Sequence, residues 1–565
     1  MGKKLPNLAL ALAIMMLLSL GAACAPSQQA ATTQQPAASA DAAATTTTEA
    51  AAPAAPATSD GAAATTAAGD AAPAATTPAT DAPAGGTMKV ALTNPFTGAA
   101  AINIANPYRY ATFSQVYETL LAYQDGGYVG VLAKEWEKVG DYTWKVTLHD
   151  GITDSAGNPF TSSDVAFVMD SQWNVGHNLY VYYEVGSVSV IDGTTFELAL
   201  NTDSVGAFYL IGSQMLMCSQ AAYEGSPDNL ATMPVGTGPY ICTSYIEGSS
   251  CTLEKRDGYW KTGDLPKASV ANPDVIEISY VPETVQMSMA IESGSAQVAG
   301  QVSMNVSKEV DALDGVTAKY ISNGTYNGLG FNMKGRAVSD NKAFREAIAY
   351  AIDPNGLIAG VYSGHATPMT GYGIPTASDY DPSWISSISY DPEKAKEKLA
   401  EAGYPGGSGA TVTLLSNNVG EDAIISELVQ GYLAAVGITC EFDYVDPATQ
   451  SARRAEGNWD LALVGGMGVL DMSLFWGNIY GLSGETGMSL YFHSDPALYA
   501  IYDKYKAAGG KTAENLQALY EYERDNVTWQ PLFNKQVLYT LSDGYADIYL
   551  NDGYMALPYL GTASK

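Results

Sequence analysis

The chain has 565 residues, long enough for two or more lobes. Lysine and arginine number 28 against 59 aspartates and glutamates, and the formal net charge of −31 excludes a nucleic-acid partner and adhesion to anionic lipid. Five cysteines without a Cys-x-x-Cys pair, and four scattered histidines (His149, His177, His365 and His493), provide no metal-site spacing, so neither metal nor cofactor is expected.

In chain order, residues 1–23 read as a signal peptide. Lys3 and Lys4 precede an apolar run from Leu8 to Leu20 that is too short to span a bilayer comfortably, and Gly21-Ala22-Ala23 leads into Cys24. The small residues before the cysteine resemble a bacterial lipoprotein signal, which implies that Cys24 becomes the lipidated first residue of the mature chain. Gly21 stands where that signal usually has an aliphatic residue, and an ordinary secretory signal with an incidental cysteine is the alternative. Residues 24–86 form a tether: Ala25 to Gly86 is Ala, Thr, Pro, Ser and Gln with a few acids and no aromatic, a composition that cannot offset the entropy of ordering. As a random coil it reaches about 45 Å.

The body opens near Thr87 with a strand at Met88 to Leu92. A short helix is expected over Phe113 to Leu121, from the spacing of Phe113, Val116, Tyr117, Leu120 and Leu121. Tyr142, Trp144, Val146 and Leu148 alternate as in a half-buried strand. Asp154 to Gly157 is a turn, and Thr161 or Ser162 caps a helix through Val165, Phe167 and Val168. Around Glu247-Gly248 lies a hairpin flanked by Cys242 and Cys251. In an exported protein these two can form a cross-strand disulfide, and a register off by one residue forbids it; Cys218 and Cys440 read as small core residues. "SDNKAFREAIAYAIDP" is a helix with its apolar face at Phe344, Ala347, Ile348 and Ala351, capped by Asp340 and ended by Pro354. "YDPEKAKEKLAEAGY" is a second, with Asp391 as cap, Pro392 in the first turn and Gly403 closing it. Thr411 to Leu415, Asp422 to Val436, Ile438 to Tyr444 and Leu461 to Val464 then read strand, helix, strand, strand, with a right-handed crossover expected for the parallel pair. Ligands of such sheets bind beyond the carboxyl ends of the strands. The loop "GGMGVLDMSLFWG" leaves such an end.

Chemistry-bearing motifs are absent together. There is no Gly-x-Ser-x-Gly elbow, phosphate-cradling loop, His-Glu-x-x-His or dinucleotide fingerprint, and no pair of carboxylates is singled out. No enzyme activity is therefore expected. Tyrosine is abundant instead, 37 in all. It offers a flat apolar face and one hydroxyl, suited to recognition or simply to a large β-rich core.

"QVYETLLAYQDGGYVGVLAKEWEKVGDYTWKVTLHDGITDSAGNPFTSSDVAF", "GTGPY", "KRDGYW" with "GDLPKA", "AFREAIAYAIDP", "YDPEKAKEKLAEAGY" and "NWDLALVGG" occur in the order of the signatures of extracellular solute-binding family 5. The chain resembles that family, which holds the oligopeptide- and dipeptide-binding proteins of ABC importers, over about residues 87 to 540. The resemblance implies an α/β, two-lobed, periplasmic-binding-protein-like fold (type II, cluster C) with an extra small subdomain and a hinge. Lobe one would be 87–118, 232–325 and 539–565, the additional subdomain 119–231 and lobe two 326–538. The implied function is capture of a peptide between closing lobes of a monomer, and delivery to an ABC permease driven by its ATPase, from the extracytoplasmic face of the membrane. An oligosaccharide importer component is the nearest alternative. A cell-surface glycosidase and a receptor without transport are alternatives of other classes.

The same resemblance nominates ligand-binding residues. "GTYNGLGFN" resembles the strand that enters lobe two beside the ligand, which points to Tyr326 and Asn327, with Tyr108 near lobe one. In the ligand loop it points to Met467, Gly468, Asp471, Phe475 and Trp476. Peptide-binding members carry an Asp there that pairs with the peptide's free amine; Gly468 occupies that place, with Asp471 as a substitute or a helix cap. Phe475 and Trp476 are rings for stacking on a sugar or aromatic side chain, or core.

Overall fold

The computed structural model describes residues 85–93, 98–100, 112–125, 127–175, 185–201, 205–374, 377, 380–384, 388–418, 420–446, 449–466, 472, 475–476, 495–507, 509–545, 547–550 and 558–563. All of them fall in one compact unit, Ala79–Lys565. Cys24, the signal region and the tether up to residue 84 lie outside the described residues, as do Tyr108, Met467, Gly468 and Asp471. No described helix is long and apolar enough to cross a membrane.

Strand β1 (Thr87–Leu92) buries Met88, Val90 and Leu92. Where a helix was expected from Phe113, the chain turns instead, and Leu121 opens β2 (Leu121–Gln124), which pairs with β3 (Gly127–Gly130). The apolar residues at helical spacing are all buried (Phe113, Val116, Tyr117, Leu120 and Leu121), but a turn packed on several neighbours buries them as well as a helix face would. Strands β4 (Ala133–Lys138), β5 (Thr143–Leu148), β6 (Val185–Val190) and β7 (Thr195–Leu200) form an antiparallel sheet in the order β4-β5-β7-β6. In β5 the alternation is as expected, with Trp144, Val146 and Leu148 inward. The helix Ser162–Val175 joins the same core through Val165, Val168 and Met169. Its start is bridged by Asp164, which accepts from the Thr161 amide at 2.7 Å and from the Thr161 hydroxyl at 2.9 Å.

Apart from a short antiparallel pair at Tyr549–Leu550 and Pro558–Tyr559, the remaining strands build one 11-stranded sheet. They are β8 (Tyr240–Ile246), β9 (Ser250–Lys255), β10 (Val275–Tyr280), β11 (Val298–Val302), β12 (Val316–Phe331), β13 (Ala366–Pro368), β14 (Thr411–Asn417), β15 (Thr439–Val445), β16 (Leu461–Gly466) and β17 (Trp529–Ser542), together with β1. The order is β15-β14-β16-β12-β17-β11-β1-β10-β9-β8, with β13 on β17. β14 runs parallel to both β15 and β16, and β1 parallel to both β10 and β11. The helix Gly420–Ala435 connects β14 to β15 and buries Ile425, Val429 and Leu433 in one cluster with Val412, Leu414 and Cys440.

Two long strands join the halves of this sheet. β12 has 16 residues and β17 has 14. Val316 to Ser322 of β12 pair with Gln536 to Ser542 of β17, and this part of β17 pairs with β11. Tyr326 to Gly330 pair with Trp529 to Asn534 on one side, and Tyr326 to Phe331 pair with β16 on the other. The register shifts between Ser322 and Tyr326, where Gly324 sits at φ 69°. A side chain there would hold a left-handed backbone at a cost, so the glycine suits the joint.

The helix Lys342–Ala351 has the expected inward face, including Phe344, Ala347, Ile348 and Ala351. Its cap is Asn341 rather than Asp340: the Asn341 side-chain Oδ1 accepts from the Phe344 amide at 3.1 Å, while Asp340 ends the preceding short helix Ala337–Asp340. Asp391 caps the helix Pro392–Glu401 by accepting from the Lys394 amide at 3.0 Å, and Gly403 follows at φ 95°.

Candidate functional site

Because β14, β15 and β16 are parallel, their carboxyl ends at Asn417, Val445 and Gly466 lie along one edge of the sheet. β12 runs the other way, so its entry into this half lies at that same edge. Tyr326 stands opposite Gly466, and Asn327 opposite Gly465. The two glycines are sterically required. A Cβ on Gly466 would come within 2.5 Å of the Tyr326 hydroxyl oxygen and 2.6 Å of its ring, and one on Gly465 within 2.8 Å of the Tyr326 carbonyl oxygen. The Gly-Gly pair that ends β16 thus makes room for the ring of its neighbour on β12.

Beneath this edge lies an aromatic floor. Tyr326, Phe475 and Trp476 are all 0% exposed. Tyr326 meets Phe475 edge-to-face at 5.1 Å, Phe475 meets Trp476 at 4.9 Å, and both Tyr326 and Phe475 approach Trp529 of β17, at 6.1 and 5.9 Å. Tyr372, Met472, Trp384, Tyr502, Tyr505 and Tyr520 belong to the same buried cluster. Three of the residues nominated from sequence are therefore brought together as a packed layer. Asn327 is half-buried beside them, and its Nδ2 has no hydrogen-bond partner among the described residues. On β14, Asn417 donates to Asp422 at 2.7 Å, while its Oδ1 is buried without a partner among the described residues. Two amides with spare capacity thus flank β16 at its carboxyl edge. Trp529 and Asn417 went unremarked in the sequence because nothing local distinguishes them; only the order β14-β16-β12-β17 brings them to this place.

The carboxylates in the signature motifs serve the scaffold. Asp460 of "NWDLALVGG" receives a two-pronged ion pair from Arg336 (2.8 and 3.1 Å) and accepts from the Thr413 amide at 2.8 Å, at the amino end of β16. Glu118 of "VYETL" is buried and accepts from Tyr259, from Trp260 at 3.0 Å and from Ser269 at 3.0 Å. Burial pushes its pKa above the ordinary carboxylate range, against the pull of these donors. Arg256 of "KRDGYW" donates to the carbonyls of Thr153 (3.1 Å), Asp154 (2.6 Å) and Thr237 (3.1 Å). These bonds tie "DGITDSAGN", "GTGPY" and "KRDGYW" into a single knot. Among the described residues no group of three His, Cys, Asp or Glu is placed to hold a metal ion. What the edge offers a ligand is amide hydrogen bonding above an apolar floor, which suits binding and orientation.

The sequence profile of the bacterial extracellular solute-binding proteins, family 5 Middle, matches residues 127–487. The chain belongs to this family.

Curated relatives include the glutathione-binding protein GsiB of Pectobacterium atrosepticum, 28% identical over 375 residues, covering 65% of this chain and 71% of that protein. Heme-binding protein A of Haemophilus influenzae is 28% identical over 350 residues, with 55% and 61% covered. GsiB of Escherichia coli K12 is 30% identical over 344 residues, with 58% and 63% covered. The chain thus spans a little under two thirds of the length of the last two. Among solved structures, the ABC transporter substrate binding protein CtaP from Listeria monocytogenes superposes with a TM-score of 0.74 at 18% identity, over 85% of this chain and 99% of that one. The periplasmic binding protein DppA from Helicobacter pylori, in complex with the peptide STSA, gives 0.68 at 20%, over 85% and 99%. The fold is therefore the two-lobed α/β fold of family 5 binding proteins, as the motif order led us to expect.

Proposed function

We propose that this protein is the substrate-capturing component of an ABC importer and that its ligands are peptides. The observation that carries the reading is the position of Tyr326 and Asn327. They sit at the carboxyl edge of β14-β16-β12, next to the register shift where the two halves of the large sheet join. A ligand held there and touched by both halves has a higher affinity for the closed arrangement, and that difference drives closure. On this reading the chain would pass from one lobe to the other near the register shift between Ser322 and Tyr326 of β12.

Peptide is favoured because glutathione-binding relatives and peptide-bound structural neighbours share that class. The sugar reading needs exposed stacking rings, and Phe475 and Trp476 are buried in the floor. Gly468 stands where family members anchor the peptide amine, so recognition here rests on the peptide's backbone and side chains, with Asp471 the only nearby acid in that loop. A thermal-shift screen tests this. Saturating peptide at about a hundredfold over its Kd should add about 2.7 kcal/mol to stability, and acetylating the peptide amine should leave most of the shift in place. Stabilisation by oligosaccharides alone, or turnover of a bound sugar, would overturn it.

The protein is proposed to work outside the cell membrane, held by lipid on Cys24 and freed to move by the tether of residues 24–86. Labelled palmitate should enter the wild-type chain in cells and not the Cys24→Ala variant. Equal labelling of both would remove the anchor from the account.

A further inference from the structure

Cys242 lies on β8 and Cys251 on β9, the hairpin that ends the large sheet. By register they are not opposite: Cys242 faces Leu253, and Cys251 faces Tyr245. The register shifts between Cys242 and Ser244, and this irregularity carries the two side chains toward each other across the diagonal. Their sulfurs stand 3.6 Å apart, and both residues are buried, at 2% and 1% exposure. A disulfide needs about 2.05 Å between sulfurs, so bond formation asks for a small rotation of two side chains and no re-pairing of strands. Cys218 and Cys440 give an internal contrast: both are buried, and among the described residues the one close sulfur–sulfur approach is that of Cys242 and Cys251.

We infer that Cys242 and Cys251 form a disulfide that staples the edge strand β8 to β9 when the protein folds outside the cytoplasm. β8 is an outer strand, with Thr243, Ser244 and Ile246 exposed, and β9 is its only strand partner among the described residues. An edge held by one neighbour is where fraying and foreign strand pairing begin. The oxidant is a disulfide-bearing thiol oxidant of the extracytoplasmic space. One cysteine thiolate attacks a sulfur of the oxidant's disulfide and expels the oxidant's other sulfur as a thiolate. The second cysteine thiolate then attacks the mixed disulfide at the protein sulfur and expels the remaining oxidant sulfur. The protein loses two thiol protons and two electrons, and the oxidant ends as a dithiol. Because both cysteines are buried in the finished hairpin, exchange belongs to the folding chain.

The full chain, recovered after export and also refolded from denaturant in oxidised glutathione, is alkylated while denatured without reductant and then peptide-mapped. The expected result is one linked peptide pair joining Cys242 to Cys251, with Cys218 and Cys440 fully alkylated. Reductant should lower the wild-type Tm by about 3 °C and should not move the Tm of a Cys251→Ser variant. If that variant fails to fold, the wild-type peptide map decides alone. Quantitative alkylation of both Cys242 and Cys251 in both preparations would overturn the inference.

Discussion

At the scale of single residues, the site depends on close approach. Gly466→Ala places a methyl carbon 2.5 Å from the Tyr326 hydroxyl oxygen, and the buried ring has nowhere to retreat. We expect a loss of about 1–3 kcal/mol in urea unfolding, with weaker ligand binding as the floor shifts. A Gly466→Ala protein as stable as wild type would mean that Tyr326 is not fixed in this place. Glu118 gives a second test. Burial raises its pKa in the folded state, so just above the ordinary carboxylate range the native chain holds a proton that the unfolded chain has lost. That part of the stability is present at low pH and falls as pH rises through the window. Between about pH 4 and pH 7, Glu118→Gln should reduce this fall in the urea midpoint relative to wild type. Identical slopes in the two proteins would show that Glu118 does not titrate abnormally. The sequence made Tyr326, Asn327, Phe475 and Trp476 visible as a set, yet burial was not legible in it. The same rings serve as an exposed platform or as a floor depending on what stands above them.

At the scale of elements, local signals read well where local forces decide. The alternation of Trp144, Val146 and Leu148, the cap at Asp391 and the turn at Gly248 all stand as read. The helix start at Asp340 did not, because two capping residues are adjacent and only tertiary contacts choose between them. Asn341 caps Phe344 and also donates to the Ala402 carbonyl at 2.8 Å, tying its helix to the end of Pro392–Glu401. Asn341→Ala should therefore cost about 1–2 kcal/mol, and Asp340→Ala much less; equal costs in denaturant titration would contradict the assignment. The turn after Phe113 was missed for a related reason. Its apolar residues sit at helical spacing, but they are buried by neighbours from several elements and not by one face. The length of β12 was hidden too, because "SNGT" interrupts its alternation and only pairing with β17 carries the strand across.

At the scale of the whole molecule, the ordered motifs were the strongest sequence signal, and they are mostly scaffold. Glu118, Arg256 and Asp460 hold elements together through buried bonds, so their order reports the fold and says little about the ligand. The joint made by β12 and β17 is a long-range construction that no local window contains. It lets one sheet carry both halves, and under the proposed function it is the narrow place where they would bend as the ligand is captured. The most direct test of capture is native mass spectrometry of the purified protein after incubation with a mixed peptide digest and, separately, with mixed oligosaccharides. The account predicts one-to-one complexes with peptides that Asn327→Ala weakens while the protein stays folded. Complexes with sugars only, or no peptide complex at all, would contradict it.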